Sequence, residues 1–208
     1  MKSLTLRSFL KVASISAITG LLFSSCGSSP SRDTSNKMIV SVKDQTMLLT
    51  KNGKAVKAYK VSTSKFGLGN TRNSKKTPLG RMEIAKKIGG GSRSGTVFKS
   101  RLKTGQIRKP DSGGGDPIVT RIMWLKGNEY RNRNTYGRYI YIHGTPAERH
   151  IGRPASYGCI RMKSNDVIDL YKRVGVGAEV KVIYDNLYKT PEGRRSAAVL
   201  RKTYYGGA

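Results

Sequence analysis

Cys159, His143 and His150 are the residues whose types could form a nucleophile and its base. A thiol attacks an amide carbonyl only as thiolate, and a free cysteine with a pKa of about 8.5 is mostly protonated at neutral pH. It needs a base, and histidine takes and returns a proton near pH 7 from within hydrogen-bond reach. The chain has two histidines. His143 ends a predicted strand and is followed by Gly144, so rigid structure can aim it. His150 sits among Glu148, Arg149 and Arg153 and reads as a solvated loop residue. The chemistry expected is therefore acyl transfer through Cys159, with His143 as base. Neither histidine pairs with Cys159 at a zinc-ligand spacing, so no metal is expected.

Attack on an amide builds negative charge on the carbonyl oxygen, which backbone N–H groups at a tight turn can hold. The amides of Gly158 and Cys159, with Tyr157 beside them, are the candidates. Gly158 leaves room for the approach and equally suits a turn at positive φ. Arg161, two residues past the thiol, could grip a substrate carboxylate in bidentate fashion or pin the loop through backbone carbonyls. Ser156 could polarise the same loop or cap a turn. Tyr139, Tyr141 and His143 alternate onto one face of the predicted strand Arg138–Ile142, which makes Tyr141 a substrate-facing candidate.

The elements that must position these residues are mostly strands. Met38–Val42, Thr46–Thr50 and Ala55–Val61 predict an antiparallel meander, and Asn52-Gly53 supplies the pair that favours a tight hairpin turn. A short strand over Arg81–Ala85 follows Thr77-Pro78-Leu79-Gly80. Lys86–Asp116 is glycine-rich, basic and weakly periodic, and is read as a long lid loop. Its Gly-Gly-Gly-Ser-Arg-Ser-Gly stretch lacks the Gly-Lys-Ser/Thr ending of a phosphate loop. Ile118–Leu125 resumes the strand pattern. Ser164 is the expected cap of a helix carrying Val167, Leu170, Tyr171 and Val174 at i, i+3, i+4, i+7, with Gly175 as its stop. Glu179–Tyr184 is the last strand. From Asn186 onward the chain reads as a basic tail of undetermined order, covering 186–208.

The start of the chain reads as an address. Lys2, Arg7 and Lys11 precede an apolar run from Val12 to Phe23, the pattern of a secretory signal. That run is shorter than the roughly 20 residues of a membrane span. Ser24-Ser25-Cys26 suggests a lipoprotein cleavage site, with residues 1–25 removed, Cys26 lipidated and 26–37 serving as a polar tether. Ordinary cleavage nearby is the alternative. Gly27 is not an inner-membrane retention signal, which directs the expectation to the outer membrane of a cell envelope. The mature chain would keep 183 residues, enough for one compact domain at 38–185. Residues 1–25 hold three of the positive charges and no negative one, so a net +28 becomes +25. Anionic partners follow. Export lowers the rank of nucleic acid and raises that of acidic wall polymers and peptides. Cysteine use agrees, because the chain has two cysteines and Cys159 keeps no intramolecular partner once Cys26 is lipidated or lost.

His143-Gly144-Thr145 followed by Ser156-Tyr157-Gly158-Cys159-Ile160-Arg161 closely resembles the signature of the YkuD-type L,D-transpeptidases, a histidine-glycine pair before a Ser-x-Gly-Cys-x-Arg block. The resemblance covers roughly Met38 to Tyr184. It implies a mostly β catalytic domain, a sandwich or barrel of antiparallel and mixed strands, with one short helix after the cysteine and a lid loop. It further implies acyl transfer on peptidoglycan stem peptides without a cofactor: Cys159 attacks the bond between the third residue and D-alanine, and an amine of a second stem resolves the thioester. His143 would be oriented by the Gly144 carbonyl, and carbapenems would acylate the thiol. Resolution by water, an L,D-carboxypeptidase activity, uses the same site. A tethered, non-catalytic polyanion-binding module is the reading of another class. Many members carry histidine where this chain has Tyr157.

Overall fold

The structure is a computed structural model and describes residues 31–205. The signal segment, Cys26 and the first residues of the tether lie outside the described residues. Ten strands run in chain order: β1 Asn36–Ser41, β2 Thr46–Lys51, β3 Lys54–Lys60, β4 Gly80–Ile88, β5 Thr96–Lys99, β6 Leu102–Ile107, β7 Ile118–Gly127, β8 Tyr141–Gly144, β9 Ile160–Met162 and β10 Glu179–Ile183. Three helices accompany them: α1 Ser164–Arg173, α2 Pro191–Arg195 and α3 Ala197–Tyr205. The fold is mostly β, a single mixed sheet ordered β3-β2-β1-β10-β4-β7-β5-β6, with β8 added to β7 and β9 to β8. Two pairings are parallel, β1 with β10 and β8 with β9.

The opening meander forms as its residues dictate. Asn52 and Gly53 take φ of 48° and 75°, both in the left-handed region that a tight hairpin turn requires. Met38, Val40, Met47, Leu49 and Tyr59 face the main core, where they meet Met123, Leu125, Ile142, Ile160 and the Val167 and Leu170 stripe of α1. The helix begins one residue earlier than a Ser164 cap would place it. Lys163 occupies the cap position, the Ser164 hydroxyl pairs with Thr120 Oγ1 at 2.9 Å, and the Ser164 amide donates to Glu148 Oε1 at 2.7 Å. A remote carboxylate thus takes over the capping work.

Two further expectations are corrected, and the order of the tail, left open by the sequence, is found. Lys86–Asp116 is not one loop: Lys86–Ile88 extends β4, and β5 and β6 pair as a hairpin whose Phe98 is buried with Ile122, Trp124 and Tyr141. The second strand of that hairpin is exposed along its whole length, so it shows no apolar alternation to read. The strand expected at Arg138–Ile142 starts only at Tyr141, because Tyr139 adopts φ 56°, off the extended path. Among the described residues the basic tail is largely helical. Thr190 caps α2 by accepting from the Gly193 amide at 2.9 Å, and Leu187 and Leu200 are buried against Ile39, Leu48 and Ala58 on the far face of the meander. At the other end, Asp33 accepts from the amides of Ser35, Asn36 and Gly175, so β1 begins inside the segment read as tether.

Candidate active site

The sheet sets the spacing of the two side chains expected to act as nucleophile and base. β8 and β9 run parallel with Ile142 opposite Ile160 and His143 opposite Arg161. Cys159, one residue before β9, is therefore level with Tyr141, and alternation turns Tyr141, His143 and Cys159 to one face. Neighbouring strands lie about 4.8 Å apart and two residues span about 6.6 Å, so His143 and Cys159 are diagonal neighbours with Cα atoms about 8 Å apart. The thiol receives a bond from the Tyr141 amide at 3.4 Å and donates to Tyr139 O at 3.5 Å. Among the described residues no hydrogen bond joins it to the imidazole.

The imidazole is oriented by its own strand. His143 Nδ1 lies 2.8 Å from Gly144 O. A carbonyl can only accept, so Nδ1 carries the proton and Nε2 presents its lone pair. Gly144 is required here, since a Cβ would come within 2.7 Å of Val119 O. Opposite it, β7 carries a bulge at Thr120, which holds φ 71° while its hydroxyl accepts from the Gly95 amide.

Electrostatics keep both groups neutral at rest. His143 is 4% exposed, and burial pulls its pKa down to about 4, against the opposing pull of the Gly144 carbonyl. Cys159 is half-buried, and desolvation pushes its thiol up to about 11 although the Tyr141 amide, Arg161 and Arg138 all favour the thiolate.

The turn before Cys159 is pinned from several sides. Ser156 Oγ donates to Cys159 O at 2.5 Å and accepts from the Gly158 amide at 3.1 Å, while Thr77 Oγ1 donates to Gly158 O at 3.0 Å. Gly158 sits at φ 119°, and an added Cβ would lie 3.3 Å from Lys76 O. Its amide, one of the expected oxyanion donors, is engaged by Ser156 Oγ. The amides of Tyr157 and Cys159 have no intramolecular partner among the described residues.

Arg161 is 7% exposed and does two things. Nη1 donates to Ala155 O at 3.0 Å, tying down the loop, and the same group pairs with Asp116, whose other oxygen accepts from Thr145 Oγ1. Asp116 was hidden in the presumed lid; its only signal was a carboxylate directly after three glycines, in a basic stretch. The pair sits in a pocket of about 580 Å³, shared by Lys65, Arg149, His150 and Tyr157. His150 is at this pocket's wall, with its Nε2 accepting from Arg149 Nε at 3.3 Å. Tyr157 is half exposed, its ring 5.4 Å from that of Phe66 and 4.8 Å from Lys65 Nζ.

The tyrosine wall exists in altered form. Tyr141 is buried and meets Trp124 edge-on at 5.5 Å; Tyr139 is turned outward but still lies 5.5 Å from Trp124. Arg101, from the β5–β6 turn, covers both Trp124 and Tyr139 at 5.1 Å. Among the described residues no three His, Cys, Asp or Glu side chains gather to hold a metal ion.

Comparison with known proteins adds the following. The family model of the YkuD L,D-transpeptidase catalytic domain matches residues 35–182. "Putative L,D-transpeptidase YqjB" of Bacillus subtilis is 35% identical over 80 residues, 38% of this chain and 44% of the relative. "Probable L,D-transpeptidase YbiS" of Escherichia coli is 39% identical over 61 residues, 28% and 20% respectively. The chain thus spans less than half the length of the curated relatives it matches. The solved L,D-transpeptidase 3 of Mycobacterium tuberculosis superposes with a TM-score of 0.48 at 16% identity, over 72% of this chain and 61% of that one.

Proposed function

Because the chain belongs to the YkuD family of L,D-transpeptidase catalytic domains, we propose that it cross-links peptidoglycan stem peptides through a thioester on Cys159. The bond from His143 Nδ1 to Gly144 O carries this reading, since it leaves Nε2 as a proton acceptor on the face that holds the thiol. Sulfur attacks the carbonyl between the third residue and D-alanine as its proton passes to Nε2. An imidazole near 4 cannot keep the proton of a thiol near 11 at rest, so proton transfer accompanies S–C bond formation. The amides of Tyr157 and Cys159 receive the developing oxyanion. Collapse breaks the C–N bond, and His143 returns its proton to the amine of the departing D-alanine. An acceptor amine then attacks the thioester, gives a proton to His143, and leaves an amide and a restored thiol.

Export through residues 1–25, lipidation at Cys26 and residence in the cell envelope, at the outer membrane, belong to the same proposal. They are supported by the residue pattern that opens the chain. Incubation of the mature chain with disaccharide-tetrapeptides, read by mass, tests the reaction. Dimers lacking one D-alanine are expected, together with a carbapenem adduct that disappears in Cys159→Ala. Tripeptide monomers without dimers would assign hydrolysis instead.

A further inference from the structure

The chain's positive charge is left uncompensated at one concave place. On the other side of Tyr157 from the large pocket lies a second one, about 300 Å³, lined by Arg72, Lys75, Arg138 and Tyr139. A neighbouring pocket of about 400 Å³ shares Arg72 and Arg138 and adds Arg133. All twelve Asp and Glu residues of the chain are described, and none lies within 4.0 Å of these four cations. The large pocket differs, because Asp111 and Asp116 already answer Arg149 and Arg161 there.

The trough is built, not a chance gathering of surface side chains. Arg138 donates to Gly69 O at 3.0 Å, Asn70 Oδ1 at 3.2 Å, Ser74 Oγ at 3.3 Å and Lys76 O at 2.7 Å. These bonds hold a loop in which Asn73 and Lys75 keep φ of 60° and 58°; asparagine takes this conformation readily, whereas lysine adopts it when its surroundings support it. The acceptors are all neutral, so the guanidinium charge persists. The loop in turn holds Arg72 and Lys75 at the rim. The trough also reaches the chemistry, since Tyr139, which lines it, accepts the Cys159 thiol hydrogen bond.

We propose that this trough is a carboxylate subsite, selecting stem peptides whose carboxylates are free over those in which they are amides. The proposal rests on the transpeptidase reading. Four cations around a concave, low-dielectric surface attract an acidic peptide. A carboxylate brings a full negative charge and two acceptor oxygens to these cations, whereas a carboxamide is neutral and offers one acceptor oxygen in their place.

The test uses the mature Cys159→Ala chain, which binds without turnover, and two synthetic stem tetrapeptides, one with free carboxylates and one with the same groups as carboxamides. At fixed low salt, calorimetry should show the free acid binding about ten-fold tighter. In Arg72→Gln/Lys75→Gln, with its melting temperature unchanged, the ratio should fall toward one. Equal affinities in the parent, or a ratio that survives the double substitution, would overturn the proposal. So would trough-dependent binding of inorganic polyphosphate while both peptides bind as before, which would assign the trough to a polyanionic polymer. Carbapenem acylation of the unsubstituted chain is read separately, so failure of the transpeptidase reading is distinguishable from failure of the subsite.

Discussion

Alkylation of Cys159 by iodoacetamide as pH is raised measures how far burial holds the thiol in its protonated form. A neutral alkylating agent reacts with the thiolate alone. With the thiol at about 11, roughly 1 in 10,000 molecules is ionised at pH 7, against about 1 in 100 for a free thiol at about 9, the upper end of the ordinary range. The higher basicity makes each thiolate about 8-fold more nucleophilic, so the chain should react about 10-fold more slowly than an unhindered cysteine peptide. The logarithm of the rate should climb by about one per pH unit through pH 9. His143→Ala should leave this profile intact, because an imidazole near 4 is uncharged at pH 7 and offers the thiolate no counter-ion. The same substitution should abolish transfer from a tetrapeptide. Intact mass of timed, quenched samples from pH 5 to 9.5 supplies the rates. A rate already flat above pH 6 would reveal a resting thiolate–imidazolium pair and refute the reasoning, as would a profile that changes shape in His143→Ala.

Four other outcomes follow from the geometry. Since the folded state holds His143 neutral, its stabilisation is complete above pH 6.5 and is lost as pH falls toward 4, about 3 kcal/mol by urea unfolding; His143→Gln should flatten that slope. Gly158→Ala places a Cβ at φ 119° and 3.3 Å from Lys76 O, and should lower stability by about 1–3 kcal/mol and tetrapeptide turnover at least about ten-fold. Asp116→Asn leaves the buried Arg161 guanidinium without its carboxylate and should cost about 2 kcal/mol in urea, the figure reduced because Asp116 is partly exposed. Leu200→Ala opens a cavity against Ile39, Leu48 and Ala58 and should cost about 2–4 kcal/mol in the same assay, whereas a loosely attached tail would show no change.

The parts of the fold legible from residues alone are those in which local preference and burial agree. The Asn52-Gly53 hairpin and the α1 stripe are examples, with turn chemistry and apolar period pointing the same way. The β5–β6 hairpin was not legible, because one of its strands is wholly exposed and its stability comes from pairing and from the buried Val97 and Phe98 of the short partner strand. Thr190-Pro191 carried a helix-start signal that the basic composition around it obscured. At the site, residue types pointed to Cys159, His143 and Gly144 because their chemistry is scarce. Asp116, Thr77 and Arg138 act through partners 29 to 81 residues away, separations over which sequence carries no local trace.

One feature of the sheet governs how the domain can come into being. β10, the last strand, is not at an edge but lies between β1 and β4, bonded to both. Until Glu179–Ile183 has arrived, the two flanking strands confront a slot one strand wide and their backbone groups stay in water. The main core cannot close before then, so a chain emerging residue by residue remains open for nearly its whole length. Assembly is consequently a single late event, with the ordering of the thiol and imidazole waiting on a segment that touches neither.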